Sequence, residues 1–262
     1  PHWFVRDGKT FESPGAWGVT WEDLSQLDYA HRDLWTYMAD VFLFWCRHGV
    51  DGFRCDAGYM IPYPVWQYIV ARVRQEFPGT VFMLEGLGGK LEVVESLLCG
   101  AGLDCAYSEL FQNYDRSQLE AYLPHCIQTS ASKGMLIHFA ETHDNNRLAS
   151  TSHRYALMRT ALSALFADTG GFGITNGVEW FAKEKVDVHE ARPLNWGAPE
   201  NQVAQLARLN AILESHPAFH AGAQQRLIQE GPGNTVVLER TVPDQPDFAL
   251  VLVNLDVERN SP

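Results

Sequence analysis

The 262-residue sequence is poor in basic residues: 20 Lys and Arg stand against 32 Asp and Glu, which gives a formal charge of −12. No run of Lys or Arg offsets this charge locally, so the chain would repel phosphate backbones and acidic membranes. It also lacks an apolar run of about 18 residues, the length that crosses a bilayer. No apolar stretch is longer than that of Val41 to Cys46, which has six residues. We therefore expect neither nucleic acid nor a membrane as a partner.

Cysteines are few and show no pairing pattern. There are five, with neither CxxC pairing nor the spacing to His that is typical of metal sites. We interpret them as reduced thiols, mostly buried. A basic and apolar secretory leader is also missing from the N-terminus. We expect a cytoplasmic protein, although the missing leader says little because the segment Pro1-His2-Trp3-Phe4 resembles the middle of a protein.

Hydrophobic residues, by contrast, make up 46% of the chain, enough for a sizeable core. Aromatic residues make up 12% and include eight Trp, somewhat more than a core usually needs. Flat aromatic rings stack on the apolar faces of sugars, but they also simply fill cores, and composition leaves both interpretations open.

The spacing of apolar residues alternates along the chain between strand-like and helix-like patterns. Residues 1–30 are rich in Gly, Pro and Trp with weak periodicity, which predicts a long structured loop. Helices are predicted over 31–46, 64–77, 91–98, part of 117–129, 152–167 and 201–215, and strands over 50–56, 80–85, 104–107, 135–140 and 171–175. Strands and helices that alternate across short connections form a parallel sheet covered by helices.

Acidic residues at the carboxyl ends of three predicted strands favour one parallel fold over another. A (β/α)8 TIM-type barrel builds its active site at that face, whereas a doubly wound sheet binds its ligand at one switch point. We therefore predict an α/β chain with a partial (β/α)8 catalytic barrel over 1–220, holding about strands 4 to 8. Beyond it, strand patterns at 236–238 and 248–255 predict the start of a small antiparallel, β-sandwich-like domain over 221–262.

Two of the acids have neighbours that suit catalysis. Arg54 and Asp56 are two residues apart on one predicted strand, so their side chains point to the same side. A guanidinium favours the ionised form of a carboxylate, as a nucleophile at a sugar carbon requires, although a purely structural ion pair is the alternative. Glu85 ends an apolar strand, where burial would raise its pKa and suit a general acid.

The third acid stands in a polar run. His143 and Asp144 follow the strand predicted over 135–140, and alone they could equally belong to a helix cap or a turn. Retaining glycosidases place two carboxyl groups roughly 5 to 5.5 Å apart, a separation that neighbouring strand ends can supply. The candidate catalytic residues are therefore Asp56, Glu85 and Asp144.

Three motifs carry a resemblance to a known family. Gly52-Phe53-Arg54-Cys55-Asp56-Ala57 resembles the fourth-strand motif G-F-R-x-D-A of the α-amylase family, glycoside hydrolase family 13. The segment Phe82-Met83-Leu84-Glu85 resembles the fifth-strand motif, and Glu141-Thr142-His143-Asp144 resembles the seventh-strand motif. Their order and spacing also fit, and the resemblance runs from about Trp17 to Phe219.

The resemblance implies roles for these residues. Asp56 would be the nucleophile that forms a glycosyl enzyme, Glu85 the acid that then serves as base, and Asp144 the stabiliser of the transition state. Arg54 and His143 would orient the nucleophile and hold sugar hydroxyls. The implied function is a retaining glycoside hydrolase that acts on α-glucosidic linkages of α-glucans or maltooligosaccharides. A transglycosidase of the glucanotransferase or maltosyltransferase type uses the same acids and is the alternative, as is a non-catalytic glucan-binding module.

The chain also departs from the family. The third-strand motif has no counterpart here, so the first three barrel strands must come from upstream sequence or another segment. Tyr59-Met60 stands where many members have Lys-His, which makes Tyr59 a candidate substrate contact and predicts different acceptor-side contacts. Asn145, beside Asp144, is a further candidate for sugar hydroxyls. Many members bind calcium, but the argument for it needs ligands from the missing region, so we predict no metal and no cofactor.

Overall fold

Helices and strands alternate through most of the chain, as the apolar spacing predicted. The computed structural model describes residues 2–187, 189–228 and 233–259. The chain divides into two units, Pro1–Asp104 and Cys105–Pro262. The outer ends of the two predicted domains, Pro1 and Pro262, lie outside the described residues, and the predicted boundary at residue 220 stays a prediction.

The first unit begins with two short antiparallel pairs where a loop was predicted. Strands β1 (Arg6–Asp7) and β2 (Thr10–Phe11) form one pair, and β3 (Gly15–Ala16) and β4 (Val19–Thr20) form the other. Each strand has only two residues, too few to show the alternation of apolar and polar residues that marks a strand in a sequence. The prediction of a loop over 1–30 was wrong at these pairs.

The rest of the first unit is a strand and helix alternation. It contains α1 (Arg32–Arg47), β5 (Gly52–Cys55), α2 (Tyr63–Arg74), β6 (Val81–Leu84) and α3 (Leu91–Cys99). Strands β5 and β6 are parallel, with Gly52 opposite Val81 and Cys55 opposite Leu84. This register brings the carboxyl ends of the two strands side by side, so Asp56 and Glu85 each follow a strand at the same edge.

Apolar stripes explain why these elements pack. Helix α1 buries one face, including Trp35, Ala39 and Leu43, while Phe82 and Leu84 of β6 are fully buried. The spacing of four residues along α1 is that of one helix face. All five cysteines are free thiols, and of these Cys99 is exposed while the other four are buried.

The second unit continues the alternation and ends in a sheet. Its elements are β7 (Cys105–Tyr107), α4 (Arg116–Ser132), β8 (Met135–Ile137), α5 (His153–Phe166), α6 (Val203–Ser215), β9 (Gln224–Ile228), β10 (Thr235–Thr241) and β11 (Phe248–Asn254). Strands β7 and β8 are parallel. Helix α4 starts at a capping box, in which the Asp115 carboxylate accepts the Gln118 backbone N–H at 2.9 Å and the Gln118 side chain reaches back.

The strand predicted over 171–175 is reduced to a single parallel bridge between His138 and Phe172. Glycines flank Phe172 on both sides, and glycine has a low preference for extended strands because it has no side chain to pack. The backbone still pairs locally, since His138 donates to the Gly171 carbonyl at 2.8 Å. The His138 side chain is buried, and this burial, followed by the charge of Arg240, lowers its pKa to about 3.

Strands β9 to β11 form an antiparallel sheet with β10 in the centre. The sequence predicted β10 and β11 but not β9. Alternate residues of β10 point inward, and Val236 and Leu238 join one apolar cluster with Phe166 and Phe219. The sheet therefore shares its core with the helices of the same unit.

Arg240 lies on the same inward face of β10 and is fully buried. Its guanidinium donates to the carbonyl oxygens of Ala218 at 2.7 Å and Ala167 at 3.0 Å, and it lies 4.4 Å from the centre of the Phe219 ring. These contacts fasten the sheet to the ends of the segments that precede it.

Among the described residues, no helix combines the length and the apolar character needed to cross a membrane.

Candidate active site

Asp56 is the first residue after β5, and its carboxylate is open to solvent. The Arg54 guanidinium donates a hydrogen bond to Asp56 Oδ1, so the pairing expected from their spacing is present. The Asp56 side chain is 77% exposed, whereas that of Arg54 is 33% exposed. A carboxylate held by one cation and otherwise accessible can reach an incoming electrophile.

A tight turn follows Asp56 and points a backbone N–H group toward the end of the next strand. Ala57 has φ 43°, a left-handed conformation that is uncommon for a residue with a β-carbon. At Gly58 a β-carbon would lie 2.5 Å from Leu84 Cδ1, so any larger residue there would require the buried Leu84 side chain to shift. The turn directs the Ala57 N–H to Glu85 Oε2 at 2.7 Å.

Glu85 follows β6 and is shielded from solvent. The residue is 9% exposed, and its second oxygen, Oε1, accepts the Leu87 N–H at 3.0 Å. Burial raises the pKa of Glu85, and the negative charge of Asp56 adds to that rise. The two backbone N–H groups and the Arg54 charge act in the opposite direction, but burial prevails. A carboxyl group with a raised pKa holds its proton to higher pH, as a general acid must.

Tyr59 lies close to both acids. Burial raises the pKa of Tyr59, and the charges of Glu85 and Asp56 raise it further. In the opposite sense, a hydrogen bond from the Trp17 side chain lowers it. The ring is therefore part of the surface around the two carboxylates. Arg54, Asp56, Tyr59 and Glu85 thus form one group within the first unit.

In the second unit, a buried ion pair fixes the loop after β8. Both Glu141 and Arg147 are buried, and Arg147 Nε and Nη2 each lie 3.1 Å from Glu141 Oε1. Burial raises the pKa of Glu141, while the Leu148 N–H and the Arg147 charge lower it. Arg147 also donates to the Asn176 carbonyl at 3.0 Å. Both ends of the segment 141–147 are held from inside.

Between these anchors the predicted polar residues face outward. His143 Nε2 and Asp144 Oδ2 are 3.2 Å apart, and the Asp144 side chain is mostly exposed. The Asp144 N–H donates to Thr142 Oγ1 at 3.1 Å, and the Thr142 hydroxyl donates to Asn145 Oδ1. This arrangement makes His143, Asp144 and Asn145 a second group, able to offer a carboxylate, an imidazole and an amide to hydroxyl groups.

Sequence reasoning missed two features of these groups. It did not assign Glu141 and Arg147 to a buried ion pair, although their spacing of six residues across a polar turn was a signal for one. It also did not single out Trp17 or Gly88, because neither belongs to a motif. The structure places the Trp17 ring directly beside Gly88, on the loop that follows Glu85.

Three side chains of the kinds that bind metals lie close together elsewhere in the first unit. Within the described part of the chain, His2, His31 and Asp33 place one potential ligand atom each within 4.8 Å of one another. Asp33 Oδ2 already accepts hydrogen bonds from His2 Nε2 at 2.9 Å and Trp3 Nε1 at 2.8 Å, and these bonds lower its pKa to about 2. None of these residues belongs to the candidate active site.

Comparison with known proteins gives relatives over nearly the whole chain. No family model matches the sequence. Among curated proteins, the alpha-1,4-glucan:maltose-1-phosphate maltosyltransferase of Rhodospirillum rubrum is 26% identical over 98% of this chain and 39% of its own length. The enzyme of the same name from Pseudomonas aeruginosa is 27% identical over 90% of this chain and 37% of its own length. The chain thus spans about two fifths of the curated relatives it matches.

Solved structures with a similar fold also cover nearly the whole chain. An alpha-amylase from Lactobacillus plantarum superposes with a TM-score of 0.73 at 22% identity, over 98% of this chain and 63% of the other. A maltogenic alpha-amylase from Thermotoga neapolitana gives a TM-score of 0.74 at 20% identity, over 97% and 60%. The predicted fold class, a partial (β/α)8 barrel followed by a small antiparallel sheet, is confirmed.

Proposed function

Because the chain has the sequence motifs and the fold of the α-amylase family, we propose that the complete protein cleaves α-glucosidic bonds with retention of configuration. The observation that carries this proposal is the contrast between two neighbouring carboxyl groups. Asp56 is exposed and paired with Arg54, while Glu85 is shielded and has a raised pKa. Two acids with environments this different suit a nucleophile and a proton donor.

The proposed reaction has two steps. Asp56 attacks the anomeric carbon of an α-linked glucosyl unit, the bond from this carbon to the glycosidic oxygen breaks, and Glu85 gives its proton to the departing oxygen. In the second step Glu85, now a carboxylate, takes a proton from water or from a sugar hydroxyl. The oxygen so activated attacks the anomeric carbon and releases Asp56. Two inversions at the same carbon give net retention.

Asp144, His143 and Asn145 are proposed to bind hydroxyl groups of the glucosyl unit as the transition state forms. Their support is the exposure of Asp144 and His143 on a loop whose ends are fixed by the Glu141–Arg147 ion pair. An exposed carboxylate on a fixed loop can stabilise developing positive charge on the sugar ring without first changing its own position.

Water and sugar compete for the same glycosyl enzyme, so both a hydrolase and a transferase remain candidates. The hydrolase acting on α-glucans or maltooligosaccharides is our main proposal. The transferase is supported by one observation, the name of the curated relatives, which are maltosyltransferases. We also propose that the first barrel strands come from sequence outside this chain and that the protein acts in the cytoplasm.

Substitution of Asp56 in the complete protein tests the catalytic proposal. We expect Asp56→Asn to lower cleavage of maltoheptaose on the order of 10³-fold or more, because the amide is a poor nucleophile. Asp51→Asn, at an exposed carboxylate just before the same strand, is the matched control and should leave the rate unchanged.

Product analysis completes this test. Early products that are all shorter than the substrate indicate hydrolysis, whereas early products longer than the substrate, formed together with shorter ones, indicate transfer. Cleavage that survives Asp56→Asn contradicts the proposed nucleophile. A wild-type protein that binds the glucan without cleaving it supports the non-catalytic binding module instead.

A further inference from the structure

Trp17 has a strained backbone conformation and an exposed side chain. It occupies the turn between β3 and β4 with φ 59°, and Gly18 beside it has φ 77°. Two successive left-handed residues make a tight two-residue hairpin turn, in which glycine, asparagine or aspartate is the usual choice. A bulky aromatic residue in this conformation is strained. Nevertheless its side chain is not buried in a core, since the residue is 67% exposed.

The indole ring lies against the loop that follows Glu85. A β-carbon at Gly88 would lie 2.0 Å from Trp17 Cζ2 and 2.1 Å from Cη2, so the indole rests on the bare backbone of Gly88. The indole N–H faces the Tyr59 hydroxyl and acts to lower the pKa of that group, although burial raises it overall. Tyr59 in turn packs against Gly89, where a β-carbon would lie 3.0 Å from Tyr59 Cβ. Trp17, Tyr59 and the two glycines form one continuous surface, which we call the Trp17 platform.

The Trp17 platform adjoins the proton donor. Leu87, between Glu85 and Gly88, donates its N–H to Glu85 Oε1 at 3.0 Å, so the loop under the indole also binds the acid. Tyr59 is near enough for the charges of both Glu85 and Asp56 to act on it. The platform is therefore continuous with the loop that binds Glu85, the proposed proton donor to a departing oxygen.

We propose that the Trp17 platform stacks on the glucosyl residue at the leaving-group side of the scissile bond. The inference rests on the proposed function, because it needs a glycosidic oxygen at Glu85. A pyranose ring has an apolar face of C–H groups that packs well on an aromatic ring, and the platform residues carry no formal charge. The ligand is thus an uncharged hexopyranose, which is the departing sugar in cleavage and the acceptor sugar in transfer.

Two substrates distinguish this role from the chemistry itself. Maltoheptaose needs a sugar bound at the leaving-group side, whereas α-maltosyl fluoride has only a fluoride there. In the complete protein, Trp17→Ala is expected to raise KM for maltoheptaose about tenfold, the loss expected when roughly 50 Å² of apolar surface loses its partner. Fluoride release from α-maltosyl fluoride should stay within twofold of wild type. Trp17→Phe, which keeps a smaller ring, should give an intermediate KM.

A matched control and a pH profile complete the experiment. Trp196→Ala removes another exposed indole, which lies in the second unit and is 78% exposed. This variant should change neither the KM for maltoheptaose nor the rate of fluoride release. The basic limb of the pH profile on maltoheptaose reports Glu85 and should not move in Trp17→Ala.

The outcomes separate the inference from the proposed function. An unchanged KM for maltoheptaose, an equal loss on both substrates, or a displaced basic limb each overturns the stacking role; the last would mean that Trp17 only holds the Glu85 loop. If wild type releases no fluoride, or if Asp56→Asn releases it at the wild-type rate, the proposed function itself fails.

Discussion

Glu85→Gln keeps the shape of the proposed acid but removes its proton, and the structure gives the cost of the change. Each carboxylate oxygen accepts one backbone N–H, from Ala57 at 2.7 Å and from Leu87 at 3.0 Å. An amide has a single acceptor oxygen, so its NH2 group must face one of these donors. One shielded backbone N–H then loses its partner, and we expect the free energy of unfolding to fall by about 1–3 kcal/mol.

The kinetic effect should depend on the leaving group. Cleavage of maltoheptaose requires protonation of the departing oxygen, and loss of a general acid lowers such rates by about 10²–10⁴-fold. Fluoride departs without a proton, so the first turnover of α-maltosyl fluoride should fall far less. Burial raises the pKa of Glu85, so the wild-type rate on maltoheptaose should decline only as pH rises through a pKa above the ordinary glutamate range. The variant has no such proton to lose, and this decline should disappear.

The rate of the first turnover on both substrates over a pH series, with urea unfolding of each protein as a measure of folding, tests this reasoning. An equal fall on both substrates would refute the role of Glu85 as acid. So would a variant that keeps the alkaline decline of wild type. A loss of stability well above 3 kcal/mol would contradict the account of its two hydrogen bonds.

Two further predictions concern the second unit, and both are measured by urea unfolding of the complete protein. Arg147→Met removes the counterion of the buried Glu141 carboxylate and should lower the free energy of unfolding by about 3–5 kcal/mol. The control Arg154→Met, at an exposed site, should change it by less than about 0.5 kcal/mol. Similar losses in both variants would contradict the ion pair. His138 stays neutral in the fold because its pKa is lowered from 6.5 to about 3, but in the unfolded chain it takes up a proton below pH 6.5. Stability should therefore fall as pH drops, by about 2 kcal/mol between pH 6.5 and pH 5, and His138→Leu should remove this part of the pH dependence; an identical pH dependence in the variant would refute it.

Much of this molecule could be predicted from the sequence because its signals are local. The helical spacing of apolar residues over 31–46, among them Leu34, Met38 and Val41, predicted α1, and the apolar run before Glu85 predicted both β6 and the burial that raises the pKa of that residue. Arg54 and Asp56 were expected to pair from their spacing alone, and they do.

Other features depend on contacts between distant parts of the chain. Trp17 reads as one more aromatic residue until Gly88, 71 positions away, is found beneath its ring. The prediction of a full strand around Phe172 was wrong because the two flanking glycines weaken its preference for an extended conformation. The backbone conformation at Phe172 is instead set by its pairing with His138. Strand β9 has only partly buried and exposed residues, and an edge strand of this kind leaves little hydrophobic signal in a sequence.

Arg240 bears on how this protein can be divided or recombined. Its guanidinium satisfies backbone carbonyls at Ala167 and Ala218, and the sheet around it completes the apolar cluster that includes Phe166 and Phe219. A chain ended near residue 220 would leave these carbonyls and one side of that cluster in water. The C-terminal sheet is consequently part of the same hydrophobic core as the preceding helices and cannot be removed as a separate domain. Chimeras with related enzymes should therefore exchange the sheet together with helix α5 and the segment at Ala218.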